Sequence, residues 1–324
     1  MDYNYKKICS NLLSSLPSRV KEVVLRRFGL EKGKRETLEA IGDSFGITRE
    51  RVRQIEEGGL DRIRPEIKNY QNIFQDFSDY FKKQGGIKKE EILLNDLGGE
   101  KNQAQIYFLL SLGEGFIRLG DSEDFYPLWT TNKDCLISGK KTIDFLLNKL
   151  KEVSRPLSFK ELRNFQPIDE IILNSYLEVS KKIQKNSENL YGLEDWPEIN
   201  PRGIKDKAYL IFKKIGKPLH FMDVTKNIDG ALTQTVHNEL IRDARFVLVG
   251  RGIYALSEWG YTPGQVKDVI SVVLRESKNP LTKEEVLSQV LKQRMVKENT
   301  ILLNLSNRNY FQKDTQGKYT VREI

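Results

Sequence analysis

The chain has 324 residues, of which 39% are hydrophobic and 30% charged, so several compact domains with apolar cores are expected. Its net charge of +8 and pI near 9.2 suit a polyanionic partner such as nucleic acid. No run of about 18 apolar residues and no signal-peptide pattern is present, so we expect a cytoplasmic protein without a membrane span.

A short amphipathic lead precedes the first predicted domain. Its apolar residues Ile8, Leu12 and Leu13 are expected to pack on the domain that follows. The next helix starts at Pro17-Ser18 and ends at Gly29, because glycine commonly follows the last residue of a helix. The inward residues of this helix are predicted to be Val20, Val23, Val24 and Phe28.

Two further helices form a predicted helix-turn-helix. Thr37 is expected to cap the first, and Gly46-Ile47 supplies the tight corner between them. The apolar stripe of the first consists of Leu38, Ile41 and Phe45. Thr48 is expected to cap the second, whose apolar side consists of Val52, Ile55, Gly59 and Ile63.

The opposite side of the second helix is polar and carries Glu50, Arg53, Gln54 and Glu57. Side chains of these types hydrogen-bond to base edges in the major groove of DNA. The pattern alone fits a DNA-recognition helix and a plain solvated face equally well.

The segments LPSRVKEVVLRRFGL and TLEAIGDSFGITRERVRQIEEGGLDRIR, within 16–64, resemble region 4 of the primary bacterial sigma factors of RNA polymerase. Blocks such as Arg-Phe-Gly and Thr-Arg-Glu-Arg-Val-Arg-Gln-Ile-Glu occur in the family's order and spacing. The resemblance implies that the second helix reads the −35 promoter element, and that the domain docks on the β flap of RNA polymerase. It implies base contacts from Arg49, Glu50, Arg53 and Gln54. It implies phosphate contacts from Arg19, Arg27, Thr37 and Leu38.

Two features depart from this family. Gly58-Gly59 replaces a helix-forming pair, and each glycine costs about 1 kcal/mol inside a helix, so we predict fraying or a kink after Glu57. The 15 residues before the domain are too few for the sigma domain that binds the core enzyme and melts the promoter. We therefore expect the chain not to act as a stand-alone sigma factor.

After Pro65 the chain repeats one plan four times. Three prolines, Pro156, Pro218 and Pro280, lie 62 residues apart and each precedes a predicted helix. Each segment closes on a tyrosine-containing strand, at 125–128, 190–193, 253–256 and 318–321. The order of helices followed by a hairpin is typical of a winged helix, and the alternative is a coincidence between generic α/β segments.

We therefore predict a mainly α fold with small β-hairpin wings. An N-terminal helix-turn-helix domain at 1–68 is followed by tandem winged-helix-like domains at 69–134, 135–200, 201–262 and 263–324.

The third repeat has the clearest pattern. Its third helix is predicted at 233–242, with Val236, Leu240 and Ile241 inward, and Gly250-Arg251-Gly252 forms the hairpin turn. The segments KDKAYLIFKKIGKPLHFMDV and TVHNELIRDARFVLVGRGIYALSEWG, at about 204–260, resemble HARE-type winged helix-turn-helix domains, as in the delta subunit of bacterial RNA polymerase. Candidate contacts for a second DNA site, or else solvent-exposed residues, are Thr233, Gln234, Asn238, Arg242 and Arg251.

The sequence indicates neither catalysis nor a bound cofactor. The two cysteines, Cys9 and Cys135, are far apart and are expected to be reduced thiols. His220 is expected to cap or pack, and with only two histidines a metal site is not predicted. No P-loop, GxSxG motif or carboxylate pair indicates an enzyme or a small-molecule substrate.

Three functional hypotheses follow. The first is a bacterial transcription factor that binds double-stranded DNA through the segment at 16–64. The second is an accessory protein that binds the RNA polymerase core through the β flap and makes little DNA contact of its own. The third is a chromosome-architecture protein without sequence preference.

Overall fold

The computed structural model describes residues 3–277 and 279–322. The chain divides into two compact units, Met1–Asp195 and Trp196–Ile324. None of the helices in these described ranges is both long enough and apolar enough to cross a membrane.

The first unit contains a helix-turn-helix and two repeats of a second arrangement. The helix-turn-helix part consists of α1 (Tyr5–Leu12), α2 (Ser18–Phe28), α3 (Leu38–Phe45) and α4 (Arg49–Ile63), followed by a 3-10 helix at Arg64–Tyr70. The first repeat consists of α5 (Gln71–Lys83), β1 (Ile87–Lys89), α6 (Glu90–Gly98), α7 (Gln103–Leu112), β2 (Ile117–Leu119) and β3 (Leu128–Thr130). The second consists of α8 (Lys133–Val153), β4 (Leu157–Ser158), α9 (Phe159–Phe165), α10 (Glu170–Val179), β5 (Ile183–Lys185) and β6 (Leu190–Leu193).

The second unit contains two more repeats. The third repeat consists of α11 (Gly203–Ile215), β7 (Leu219–His220), α12 (Phe221–Lys226), α13 (Thr233–Arg242), β8 (Phe246–Gly250) and β9 (Ile253–Leu256). The fourth consists of α14 (Val266–Glu276), α15 (Lys283–Gln293), α16 (Glu298–Leu305), β10 (Phe311–Lys313) and β11 (Tyr319–Val321).

The repeats share one order of elements: a helix, a short strand, two helices and a β-hairpin. In the first three, the short strand pairs with the last strand of the hairpin, so each antiparallel sheet has the order first–third–second. In the fourth, a single bridge between Leu281 and Tyr319 takes the place of the short strand. The predicted recurrence of one plan therefore has a direct counterpart in the topology.

The local signals of the helix-turn-helix are confirmed. The Thr37 side chain accepts a hydrogen bond from the N–H of Ala40 at 3.1 Å, and Thr48 accepts one from the N–H of Arg51 at 3.2 Å. Gly46 adopts a φ of 62° at the corner, in the left-handed region that favours glycine. Threonine caps thus begin α3 and α4, while Gly29, with a φ of 68°, ends α2 and Gly46 ends α3, as the sequence indicates.

The predicted kink at Gly58-Gly59 is wrong. Helix α4 continues through both glycines to Ile63. A Cβ at position 59 would lie 2.8 Å from Cγ1 of Val20 and 3.3 Å from Cγ2 of Val24, so the glycine allows α2 and α4 to approach closely. The close packing at Gly59 offsets the cost of the low helix propensity of the two glycines.

Substituting these two glycines should have opposite effects. Gly58→Ala should stabilise α4 by about 0.5–1 kcal/mol, because no atom lies within 4 Å of the added methyl group. Gly59→Ala should destabilise it by about 1–3 kcal/mol, because Val20 is branched at Cβ and cannot easily move away. Native-state hydrogen exchange of the α4 amides measures both changes, and equal protection in the two variants would contradict this account of the packing.

Two other local predictions are corrected. The closing strand of the first repeat starts at Leu128 rather than Phe125. Phe125 instead forms a bridge with Ser180, and the N–H of Tyr126 donates to the carbonyl of Val179 at 3.0 Å, both in the second repeat.

Ile241 was predicted to face inward, but it is 62% exposed. The buried stripe of α13 consists of Val236 and Leu240. One further residue along a helix turns the side chain by about 100°, which carries Ile241 out of that stripe.

A polar cluster around the buried Glu90 joins the helix-turn-helix to the first repeat. The Glu90 carboxylate at the start of α6 accepts hydrogen bonds from Arg118 at 3.1 Å, from Trp129 Nε1 at 3.0 Å and from Arg35 at 3.3 Å. Arg35 lies in the loop before α3, and its guanidinium carbon is 4.1 Å from the ring centroid of Tyr107. Burial alone would raise the pKa of Glu90, but the hydrogen bond from Arg118 holds it below its usual value. The helix-turn-helix and the first repeat also share one apolar core.

A second buried cluster joins the first two repeats. The ammonium of Lys88 lies 2.7 Å from a carboxylate oxygen of Glu178 and 3.1 Å from the amide oxygen of Gln84. It also lies 3.4 Å from the hydroxyl of Ser175. Because Lys88 is buried, these partners replace the water that its charge would otherwise need. The helix-turn-helix and the first two repeats therefore form one packed body.

Hydrogen bonds to backbone carbonyls join the third and fourth repeats. The N–H of Met295, in the loop after α15, donates to the carbonyl of Val249 in β8 at 2.7 Å. The buried Arg294 donates to the carbonyl of Thr262 at 2.6 Å and to that of Gly264 at 2.9 Å. Burial lowers the pKa of Arg294. The loop of the fourth repeat therefore extends the sheet of the third.

Candidate nucleic-acid interface

Helix α4 presents its predicted base-contacting side chains to solvent. Arg49, Glu50, Arg53 and Gln54 are all exposed. On the other side of the helix, Val52 and Ile63 are fully buried. Val52 packs with Val23 of α2 and Ile41 of α3, which fixes the position of α4 against the rest of the motif. The structure therefore brings the four candidates together on one accessible face.

Arg53 is paired with carboxylates on both sides. Its guanidinium lies 2.8 Å from Glu50, one turn earlier, and 2.9 Å from Glu57, one turn later. The hydrogen bond from Arg53 lowers the pKa of Glu50, and the hydrogen bond to Glu50 raises the pKa of Arg53. To bind a guanine edge, Arg53 has to exchange these carboxylates for the base.

Arg51 is a neighbour that the sequence reasoning left out of the site. Its guanidinium donates to the side-chain oxygen of Gln54 at 3.0 Å. This contact occupies the side-chain oxygen of Gln54. Besides the hydrogen bond from Arg53, one from the Gln54 side chain also lowers the pKa of the Glu50 carboxyl. To donate toward a base acceptor, the amide group of Gln54 therefore has to leave Glu50. The three-residue spacing of Arg51 and Gln54 on a helix was the signal that could have revealed the pair.

The predicted phosphate contacts differ in their availability. Arg19 is exposed, with its guanidinium carbon 5.4 Å from the ring centroid of Phe45. Thr37 and Leu38 lie at the start of α3, where backbone N–H groups lack partners within the helix and can bind anions.

Arg27 is already engaged within the domain. It lies 3.3 Å from the Glu56 carboxylate and donates to the carbonyl of Glu36 at 3.0 Å. Burial raises the pKa of Glu56, while the charge of Arg27 acts in the opposite direction. A phosphate contact from Arg27 would require one of these interactions to break.

The candidate second site lies on α13 and the following hairpin. Thr233, Gln234, Arg242 and Arg251 are exposed, and Asn238 is half-buried. The amide of Gln234 donates to the side-chain oxygen of Asn238 at 3.2 Å. The four candidates of α13 share an accessible helix face with Ile241, which is exposed and adds an apolar side chain to it. Arg251 lies in the turn between β8 and β9.

The cysteines and His220 do not form a metal site in the part of the chain that the structure describes. Cys9 is buried among apolar residues, which raises the pKa of its thiol to about 12, and Cys135 is a free thiol. The predicted capping role of His220 is confirmed, since its Nδ1 accepts from the N–H of Met222 at 3.3 Å. Within residues 3–277 and 279–322, no group of three or more His, Cys, Asp or Glu side chains is arranged to hold a metal ion.

Comparison with known proteins identifies the helix-turn-helix. Residues 12–65 match the family Sigma-70, region 4, a family of DNA-binding domains rather than enzymes. The chain is 43% identical to the RNA polymerase sigma factor sigB of Arabidopsis thaliana over 58 residues. These 58 residues are 18% of this chain and 10% of that protein. The chain is 50% identical to the RNA polymerase sigma factor RpoS of Coxiella burnetii over 52 residues, a segment that is 16% of this chain and 15% of that protein. The resemblance of residues 16–64 to region 4 is thus confirmed, while the chain spans less than a sixth of either relative.

Proposed function

We propose that this chain is a transcription factor that reads promoter-type duplex DNA with helix α4. The observation that carries the proposal is the exposed polar face of α4, held on a three-helix core whose segment matches Sigma-70, region 4. In this proposal α4 enters the major groove, Arg53 and Gln54 contact base edges, and Arg49 and Glu50 lie beside them. Arg19 and the start of α3 contact the phosphates.

We further infer that the four repeats are winged helices and that the third is of HARE type. The recurring element order of the four repeats and the first–third–second sheet order of the first three support this inference. The third repeat would then provide a second DNA contact through α13 and Arg251 at the tip of its hairpin.

The preferred duplex is the sequence that the parent protein enriches from a pool of random duplexes. Arg53→Ala should weaken binding to it by about 1–3 kcal/mol, with little change on a scrambled duplex. Arg62→Ala is a matched control, because Arg62 is an exposed arginine of the same helix that points away from Arg53. Fluorescence anisotropy of the parent and both variants with both duplexes measures the six affinities. If Arg53→Ala binds the preferred duplex as tightly as the parent and the Arg62→Ala variant, base reading by this helix is wrong.

The second candidate is an accessory protein that binds the RNA polymerase core, including its β flap. The pairing of Arg53 with Glu50 and Glu57 favours it, since carboxylates on the exposed face repel phosphates. In that case, core polymerase should be captured from a nuclease-treated lysate as well as from an untreated one, and Arg53→Ala should leave DNA binding unchanged.

A further inference from the structure

The first two repeats have little helix surface to offer to a DNA groove. Six of the ten residues of α7 are buried, and five of the ten residues of α10 are buried. In contrast, α13 and α16 each bury only two residues. Any contact that the repeats make with a nucleic acid through their third helices is therefore confined to the second unit.

Net charge is concentrated in the same unit. Residues 196–324 contain 21 Lys and Arg residues and 14 Asp and Glu residues, whereas residues 1–195 contain 32 and 31. The second unit thus carries a net charge of +7 out of the chain's +8, although it is the smaller of the two. A surplus of this kind attracts polyanions through the long-range electrostatic field.

A cationic cavity lies in the fourth repeat, between the end of α16 and the hairpin β10–β11. Its volume is about 500 Å³, and Arg308, Lys313 and Arg322 line it together with Ser306, Phe311 and Tyr319. Over the described part of the chain, no carboxylate lies within 4.0 Å of any of these three cationic groups. Three positive charges are thus gathered without a paired carboxylate among residues 3–277 and 279–322.

Local contacts hold this cluster in place. The guanidinium of Arg322 donates to the carbonyl of Arg308 at 3.0 Å, and the N–H of Arg322 donates to the carbonyl of Tyr310 at 2.9 Å. The ammonium of Lys313 lies 5.7 Å from the ring centroid of Tyr319. Like charges held together repel each other, so an anion that enters the cavity relieves that repulsion.

We propose that this cavity binds a phosphate group of the duplex DNA backbone and makes the second unit a separate, sequence-independent DNA-binding body. Planar guanidinium groups match the oxygens of a phosphate, and an ammonium adds a point charge. Because the contact is to the backbone, it positions the protein on DNA without reading bases. The cavity lies outside the sigma-like segment, so this proposal does not depend on base reading by α4.

The test uses the full-length chain with the triple substitution Arg308→Gln, Lys313→Gln and Arg322→Gln. Its charge-matched control changes three exposed lysines elsewhere in the second unit: Lys214→Gln, Lys217→Gln and Lys283→Gln. A double variant, Arg308→Gln and Lys313→Gln, retains the hydrogen bonds of Arg322 and covers the case in which the triple variant loses its fold. Duplex affinity is measured across a salt series on the preferred and a scrambled duplex.

The expected result is a loss of about tenfold or more in the triple variant, equal on both duplexes, with the salt slope reduced by about 2–3. The double variant should lose a slope of about 2, and the control less than 1. A triple variant whose affinity and slope match those of the control would overturn the proposal. A second result would also overturn it: the triple substitution abolishes saturable binding of inorganic phosphate but leaves duplex binding unchanged. The cavity would then bind a free anion rather than the DNA backbone. An effect of Arg53→Ala alone bears only on the sigma-like domain.

Discussion

The affinity for duplex DNA should fall about a thousandfold when the salt concentration rises from roughly 50 to 200 mM. This size of effect requires about six or more phosphate contacts, because each contact releases counterions that salt then restores. Both units offer cations that have no carboxylate within 4.0 Å among the residues that the structure describes. They include Arg19, Arg49, Arg51, Arg242, Arg251, Arg308, Lys313 and Arg322.

The salt response also separates the two candidate functions. A chain that acts mainly by binding RNA polymerase makes few phosphate contacts, so its weak DNA affinity should change little over the same range. A chloride series at constant pH, read by anisotropy with a short labelled duplex, gives the slope. A slope near zero would contradict the proposal that DNA is the direct partner.

Replacing Glu90 by glutamine should lower the free energy of unfolding of the first unit by about 2–3 kcal/mol. Removing one partner of a fully buried ion pair costs roughly 3–5 kcal/mol, and the partial exposure of Arg35 and Arg118 reduces that figure through solvent screening. The adjacent Glu91 is the matched control, since its side chain is 81% exposed. Glu91→Gln should change the stability by no more than about 0.5 kcal/mol.

The pH dependence of this difference is a second readout. The pKa of Glu90 is lower in the folded protein than its usual value of 4.5, so the folded state favours the ionised carboxylate. Its contribution is fully present above pH 4.5 and is lost as the pH falls through the lowered pKa. The stability difference between the parent and Glu90→Gln should therefore shrink on acidification. Urea unfolding followed by the fluorescence of the buried Trp129, with Trp196 and Trp259 replaced by phenylalanine, measures it. A difference that is constant from pH 7 to pH 3 would contradict a structural role for the ionised carboxylate.

The helix-turn-helix was predictable because its signals are local. Thr37, Thr48 and Gly46 act on residues within one turn, so a short stretch of sequence contains both partners of each interaction. The ion pairs of Arg53 are also local, since Glu50 and Glu57 lie three and four residues away. These are spacings at which side chains on a helix meet.

The features that sequence reasoning missed depend on distant partners. Gly59 is tolerated in α4 because Val20 occupies the space beside it, 39 residues earlier. Glu90 contacts Arg35 and Arg118, which are 55 and 28 residues away. Neither relation has a periodic signature, so helix propensity alone predicted a kink and no pattern revealed the cluster. The DNA contacts and the bounds of the five domains remain predictions.

We propose above all that helix α4 selects a DNA sequence. The most direct test is a selection from random duplexes with the full-length chain and with Arg53→Ala, each with and without core RNA polymerase. The proposal predicts that the parent enriches one promoter-type motif without polymerase, and that Arg53→Ala loses the preference at one or two positions of that motif. An unenriched pool from the parent in the absence of polymerase, or the same motif from both proteins, would contradict it.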